Sequence, residues 1–564
     1  MRLRSLLPAM LTAIGILAAD PAISFSATIT IVNMDGAGEG FNDGTAAAPV
    51  GGNAGTTIGQ QRLNVFQEAA NIWGAILPSA VTIPVGARFD PLSCTATSAV
   101  LGSAGAINIS RDFAGAEFPG TWYHQALANR LNGTDLVPGS NDITATFNAN
   151  LGQPGCLTGA FFYYGFDHNE GGNIDLLAVV LHELGHGLGF SAFTNGSTGV
   201  MPAGFPGIYD RHLLDLSNGL RWNAMTDGQR AASAINTGNL VWDGTAVRVK
   251  APSFLDPKPE VVVLTPAAVA GTYTSGSAAF GAALTVAGVT DDVVLAVDAT
   301  GAANDACSPL TNGAAVSGKI AMVDRGTCPF TVKAANVQNA GGVGMIMVNN
   351  IAGLAPEIGG SDPSIAIPVT SLSQTEGNAI KAQLGSGVTA TLRVSNTRLA
   401  GADNSNRPFM FAPNPLQSGS SVSHWDVSTS PNLLMEPAIN PDLTDVDLTT
   451  FLFEDIGWLP RTTSVPAVVP VTGLLRLGLS SPNPFATQTR LTFTLSRPMS
   501  VSVDVLDTGG RLVRKLMSET LAVGERGATW DGTDGDGRRV PPGIYLYRLR
   551  AGGEIQTRRV ALVR

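Results

Sequence analysis

The chain has 564 residues, 44% of them hydrophobic, with 34 Lys and Arg against 44 Asp and Glu and a net charge of -10. That length and apolar content suit about two to four domains with real cores, and the acidic balance, without any basic stripe, excludes a nucleic-acid partner. Only 14% of residues are charged while glycine (66) and proline (34) abound, so strands and turns are favoured over long surface helices.

Residues 1–26 read as an export signal: Arg2 and Arg4, an apolar run from Leu6 to Ala19, then small residues around Ser24-Phe25-Ser26. The run falls short of the roughly 20 residues of a membrane span. No other stretch is long enough, so no stable membrane span is expected, and the mature chain is expected to be secreted or at a cell surface. Four cysteines in an exported chain suggest two disulfides, and spacing suggests Cys94 with Cys156 and Cys307 with Cys328. Without a C-x-x-C pair, a four-cysteine metal site is the poorer reading; Cys94 as a thiolate blocking a metal in a precursor is another.

Along the chain, Thr28 to Val32 reads as a strand. Gln61 to Leu77 carries Leu63, Phe66, Ala69, Ala70, Trp73 and Ile76 at helical spacing. Val81 to Phe89 and Asp142 to Phe147 are strand candidates. Asn173 is placed to cap a further helix, with Asp175 in its first turn, and Leu177, Val180, Leu181, Leu184 and Leu188 mark its apolar face. Gly187 and Gly189 let that helix stop abruptly.

This helix carries His182-Glu183-Leu184-Gly185-His186. Residues four apart share a helix face, so both imidazoles can be directed at one ion, while Glu183 is rotated about a quarter turn and reaches a water on that ion. Zinc lowers the pKa of bound water to roughly 7; Glu183 is then the expected general base, passing the proton to the leaving amine. Catalytic zinc usually has three protein ligands. The extended form of the motif would put a third His at 192, where Ala192 stands. His124, His168, His212, His424, Asp210 and Asp215 remain as candidates.

A downstream pattern resembles the leishmanolysin branch of the metzincin metallopeptidases: Ser423-His424-Trp425-Asp426, then Asn432-Leu433-Leu434-Met435-Glu436-Pro437, then Phe453-Glu454-Asp455-Ile456-Gly457-Trp458. The resemblance covers residues 60–254 and 400–460. It implies His182, His186 and His424 as zinc ligands, Glu183 as general base, Gly189 turning the chain under the site, and Met435 as an apolar floor that does not ligate. The competing reading of His424 is a structural ring capped by Asp426, with Asp210 and His212 as fallback ligands. Tyr209-Asp210-Arg211 otherwise reads as a structural corner, and His124 and His168 as surface or core residues.

From about 255 to 400 the sequence turns rich in Val, Ala, Gly and Thr, with short apolar runs at Val261 to Leu264, Lys319 to Val323 and Gly344 to Val348, and a helical stretch from Lys333 to Gln338. The run Gly318-Lys319-Ile320-Ala321-Met322-Val323-Asp324-Arg325-Gly326-Thr327-Cys328-Pro329-Phe330, followed by 340–350 and Ile367-Pro368-Val369, resembles the protease-associated (PA) domain, a lid or docking module. The last ninety residues alternate over Leu491 to Leu495, Val501 to Leu506 and Ile544 to Leu549. With Ser481-Pro482-Asn483-Pro484-Phe485, Trp530-Asp531-Gly532 and Pro542-Gly543-Ile544-Tyr545, they resemble immunoglobulin-like sorting and flagellar hook-capping modules. Asp531 to Gly537 misses the EF-hand spacing and reads as a hairpin turn rather than a calcium loop.

The expected fold is α+β: a metzincin-like catalytic domain interrupted by a β-rich PA domain and followed by an all-β Ig-like sandwich. The expected divisions are 1–26 signal peptide, 27–254 and 401–460 metallopeptidase, 255–400 PA insert, 461–474 linker and 475–564 sandwich. The expected function is zinc endopeptidase action on extracellular proteins or peptides, with export or cell-surface machinery as partner of the tail. The alternative is an inactive cell-surface binding protein; a third reading keeps the metal and hydrolyses a non-peptide amide.

Overall fold

The computed structural model describes residues 26–299, 304–440, 443, 446–459 and most of 475–562. The expected export signal, except Ser26, and the expected linker over 461–474 lie outside the described residues.

Strands β1 (Ile29–Asn33), β2 (Ile83–Asp90), β3 (Gly102–Ala106) and β4 (Ile143–Asn148) form one sheet in the order β1-β2-β4-β3. β1, β2 and β4 run parallel, and β3 is antiparallel to β4 at the edge. Helix α1 (Ile58–Ile76) starts where the Thr57 side chain accepts the Gln60 N–H, and it buries Val65, Phe66, Ala69, Ala70 and Trp73. The Trp73 indole donates to Leu181 O at 3.0 Å, fastening α1 to helix α2 (Leu176–Leu188), in which every residue is buried.

The cap of α2 differs from expectation. Asp175, not Asn173, accepts the first free N–H, from Leu177 at 2.8 Å. The Asn173 side chain is taken by the Phe161 N–H at 3.1 Å. A carboxylate at the cap also gains from the helix dipole. At the other end Gly189 has φ +142, and a Cβ there would meet Ile456 Cδ1 at 2.5 Å, so only glycine ends the helix this way.

Residues 257–399 build a separate seven-stranded sheet, in the order 271–274, 257–265, 389–399, 289–295, 320–324, 344–348, 369–372. The last four strands run parallel. Parallel neighbours need crossovers, and the helix Phe330–Asn339, over the stretch expected to be helical, supplies one within this β-rich region. Its two ends meet: Pro257 pairs with Leu399, and the Ala400 N–H donates to Asp256 O at 2.8 Å. Disulfides join Cys94 to Cys156 and Cys307 to Cys328, which removes Cys94 as a free thiolate.

The apolar cores are distinct. One cluster runs through residues 27–255 and 399–458, two flank the seven-stranded sheet, and one lies between the three- and four-stranded antiparallel sheets of residues 475–562 around Trp530 and Tyr547. In the last unit the Asp534 N–H donates to Arg538 O at 2.8 Å and Thr533 bridges Arg539, so residues 533–539 close a hairpin.

Candidate metal centre

Helix α2 places His182 and His186 one turn apart, and residues 420–426 bring His424 against them. The three Nε2 atoms are 3.1 Å (His182–His186), 3.2 Å (His186–His424) and 3.2 Å (His182–His424) apart. Among the described residues this is the only group of three or more His, Cys, Asp or Glu whose ligand atoms lie within 4.8 Å of one another. Each ring has its other nitrogen on a carbonyl: His182 Nδ1 on Leu434 O at 2.7 Å, His186 Nδ1 on Phe190 O at 2.8 Å, and His424 Nδ1 on Ser420 O at 2.7 Å. A carbonyl only accepts, so each Nδ1 carries the proton and each Nε2 turns a lone pair toward the same point. Burial lowers His182 to about 3 and His186 to about 4, and burial with the two neighbouring rings holds His424 well below the usual range. Three lone pairs converging in a buried place repel unless a cation lies between them, and zinc is held by imidazole nitrogens at about 2.0–2.1 Å, which matches this spacing.

The downstream segment is held firmly. His424 O accepts the Phe411 N–H at 2.9 Å, and the Trp425 N–H donates to Met435 O at 2.8 Å while the Trp425 ring meets Phe190 at 5.0 Å. Val422, a β-branched residue, sits at φ +74 with its carbonyl on the Tyr209 hydroxyl at 3.0 Å, a strained conformation two residues from His424. Asp426 does not cap His424; its carboxylate accepts the Ser428 N–H and hydroxyl. Met435 is fully buried below α2, where a Cβ at Gly185 would lie 2.7 Å from its sulfur.

Glu183 is buried beside edge strand β3, where a Cβ at Gly102 would meet its Cγ at 2.9 Å. Burial pushes Glu183 up to about 8, opposed by the Ala104 N–H that favours the carboxylate. A cation at the three nitrogens would draw it back toward the charged form. Glu183 and the three rings open on a cavity of about 1100 Å³. Leu157, Ile174 and Val179 line it with apolar surface, and Ser418, Ser420 and Asn195 with polar surface.

The other candidates fall elsewhere. Asp210 accepts the Thr194 hydroxyl and the Gly207 N–H within the turn Tyr209–His212, His212 stacks on Trp242 at 5.0 Å, and Asp215 takes Ser217 and Asn236. His168 pairs with Asp175 at 2.5 Å, and His124 lies against Ser191 at 2.7 Å. Sequence reasoning missed Gly185, Gly102, Ala104 and the carbonyls of Leu434, Phe190 and Ser420. Backbone acceptors leave no residue signature, but the small residues at 102 and 185 were readable as possible close approaches.

Residues 289–380 match the family model of the PA domain, and residues 481–554 match that of the FlgD Ig-like domain. The chain is similar to an ER degradation-enhancing alpha-mannosidase-like protein 3 of Xenopus laevis, 40% identical over 83 residues, 13% of this chain and 9% of that protein. It is also similar to the minor extracellular protease Vpr of Bacillus subtilis, 37% identical over 79 residues, 14% of this chain and 9% of that one. Among solved structures it overlaps the zinc aminopeptidase BSAP of Bacillus subtilis at 23% identity and TM-score 0.19, covering 27% of this chain and 35% of that one, too loosely to argue from. The chain spans about a tenth of the length of the two curated relatives. Neither matched stretch can contain both His182 and His424, which lie 242 positions apart.

Proposed function

We propose that this chain is an exported zinc-dependent endopeptidase of leishmanolysin-like metzincin type, cleaving extracellular proteins or peptides. His182, His186 and His424 bind the metal and Glu183 is the general base. One observation carries the reading: three buried Nε2 atoms, 3.1–3.2 Å apart, with every Nδ1 committed to a carbonyl. Three protein nitrogens beside an open cavity is the donor pattern of catalytic zinc. Zinc, when bound, supplies Lewis-acid polarisation of a carbonyl and acidifies water. The chain's own groups do the rest. Glu183 takes the proton of the attacking water and returns it to the leaving amine, with the Ala104 N–H steadying its carboxylate. Edge strand β3, whose residues Gly102, Ser103 and Ala104 line the cavity, pairs with β4 alone among the described residues and offers an extended peptide a strand to pair with.

The similarity to an extracellular protease, over 14% of this chain, supports a peptidase. In this reading residues 1–26 are an export signal, 27–254 and 401–460 form the peptidase, 255–400 is a PA insert acting as lid or docking module, 461–474 is a linker, and 475–564 engages export or cell-surface machinery. The test is bound zinc per chain together with casein hydrolysis, for the native protein, Glu183→Ala and His424→Ala. One zinc and chelator-sensitive cleavage in the native protein, cleavage lost in Glu183→Ala with zinc kept, and zinc lost in His424→Ala are expected. Equal background cleavage by native and Glu183→Ala protein overturns the reading in favour of a binding protein.

A further inference from the structure

One buried ring beside the cleft is unused by this chemistry. His124 is fully buried and lies tilted against Phe193 with centroids 4.3 Å apart. Burial lowers its pKa to about 3, so the ring is neutral and carries one proton. Its Nε2 lies 2.7 Å from Ser191 Oγ, and its Nδ1 has no hydrogen-bond partner among the described residues. A proton on Nδ1 would leave a buried N–H orphaned, a rarer and costlier state than an unpaired lone pair. The proton therefore sits on Nε2 and is donated to Ser191 Oγ.

That leaves the hydroxyl proton of Ser191 for another acceptor. Within the protein it reaches His186 O at 3.5 Å, the outer limit of a hydrogen bond, and that oxygen already takes the Gly189 N–H at 3.2 Å. Ser191 is half-buried and lines the same cavity as Glu183 and the three histidines. Its neighbours fix it between the two halves of the cluster: Phe190 O takes His186 Nδ1–H, and the Ala192 N–H donates to Ser423 Oγ at 3.1 Å, next to His424.

We propose that Ser191 is a substrate-contacting residue whose hydroxyl, oriented by the buried His124, donates a hydrogen bond to a backbone carbonyl of the peptide in the cleft. The inference rests on the peptidase reading of that cleft. Ser191 would touch substrate; His124 is a positioning residue that fixes which way the hydroxyl points. A fixed donor gains strength as the carbonyl it faces gains negative charge.

The experiment compares the full native chain with Ser191→Ala, Ser191→Thr and His124→Gln, measuring peptide kcat and KM, bound zinc and the unfolding transition. Ser191→Ala is expected to keep its zinc and transition while kcat/KM falls about tenfold or more. Ser191→Thr keeps the hydroxyl and is expected to stay within about threefold of native. His124→Gln, whose amide can still donate to Ser191, is expected to fall between them. If His124→Gln does not fold, the two Ser191 variants decide. A Ser191→Ala protein with native kcat/KM overturns the proposal, as does equal loss in Ser191→Ala and Ser191→Thr. No chelator-sensitive cleavage by the native chain overturns the peptidase reading itself, and this proposal with it.

Discussion

His182 Nδ1 lies 2.7 Å from the carbonyl oxygen of Leu434, a hydrogen bond across 252 residues that sets which nitrogen of the ring faces the cluster. Two carboxylates hold the peptide that supplies this carbonyl. Asp447 accepts the Leu434 N–H, and Glu436 accepts the Leu433 N–H at 2.9 Å together with the Thr429 hydroxyl. The neighbouring Ser430 O takes the Asp256 N–H at 2.5 Å, so the root of the seven-stranded unit is fastened to the same segment. Outer partners of ligating histidines commonly change metal affinity 10–100-fold when removed. Glu436→Ala should therefore weaken zinc binding about tenfold, and Glu436→Gln, which keeps an acceptor for Leu433, should weaken it less. Competition with a chromophoric chelator measures this; native affinity in Glu436→Ala would remove Glu436 from the support of His182.

Gly185 occupies a position that the metal motif leaves free. A Cβ there would lie 2.7 Å from Met435 Sδ and 3.2 Å from its Cε. Alanine gains about 1 kcal/mol of helix propensity over glycine, but overpacking a filled core costs about 1–3 kcal/mol. Gly185→Ala should lower stability by roughly 1 kcal/mol net. Adding Met435→Ala should recover part of the overpacking loss, a coupling that a double-mutant cycle in denaturant reads directly. Additive effects would show that the two side chains do not share this space.

How far the sequence could be read follows from these particulars. Helix α2 was legible because Leu177, Val180, Leu181, Leu184 and Leu188 repeat at helical spacing around the two histidines. His424 has no such local signal, since 238 residues separate it from His186, and only its Ser-His-Trp-Asp setting pointed to it. The strands at 320–324 and 344–348 were visible as apolar runs, and the helix Phe330–Asn339 between them as the helical stretch from Lys333 to Gln338, but composition does not reveal that the two strands pair in parallel. The choice of Asp175 over Asn173 as cap turned on a partner, the Phe161 N–H, from another stretch of chain.

Asp142 gives a dependence on pH that is separate from the metal cluster. Burial, helped by the nearby Asp135 charge and opposed by the Asn129 amide at 2.9 Å, pushes its carboxyl up to about 7, and Oδ2 has no hydrogen-bond partner among the described residues. A folded pKa above the unfolded one means that the folded state binds the extra proton. Stability from this group is thus fully present below the unfolded pKa of about 4, falls as pH rises toward 7, and is flat beyond. Asp142→Asn can keep an acceptor for Asn129 without the charge. It should be more stable than native by roughly 1–3 kcal/mol at pH 8 and no more stable at pH 4. A gain of equal size at both pH values would mean that charge burial is not the cause.

Removing the metal should destabilise one part of the molecule and leave another unchanged. Without a cation, three Nε2 lone pairs face each other at 3.1–3.2 Å in a buried place. Free zinc at a hundredfold over its dissociation constant adds about 2.7 kcal/mol to a folded state that alone binds it. For a core of roughly this size that is a shift of about 5–10 °C. The cluster lies within the apolar core of residues 27–255 and 399–458, whereas the C-terminal sandwich has its own core around Trp530 and Tyr547. Calorimetry should therefore show one transition falling on chelation and recovering with zinc, while the transition of the sandwich stays in place. In His424→Ala the first transition should no longer respond to zinc at concentrations that saturate the native protein. A zinc-dependent shift as large as native in that variant would mean that the metal is held elsewhere.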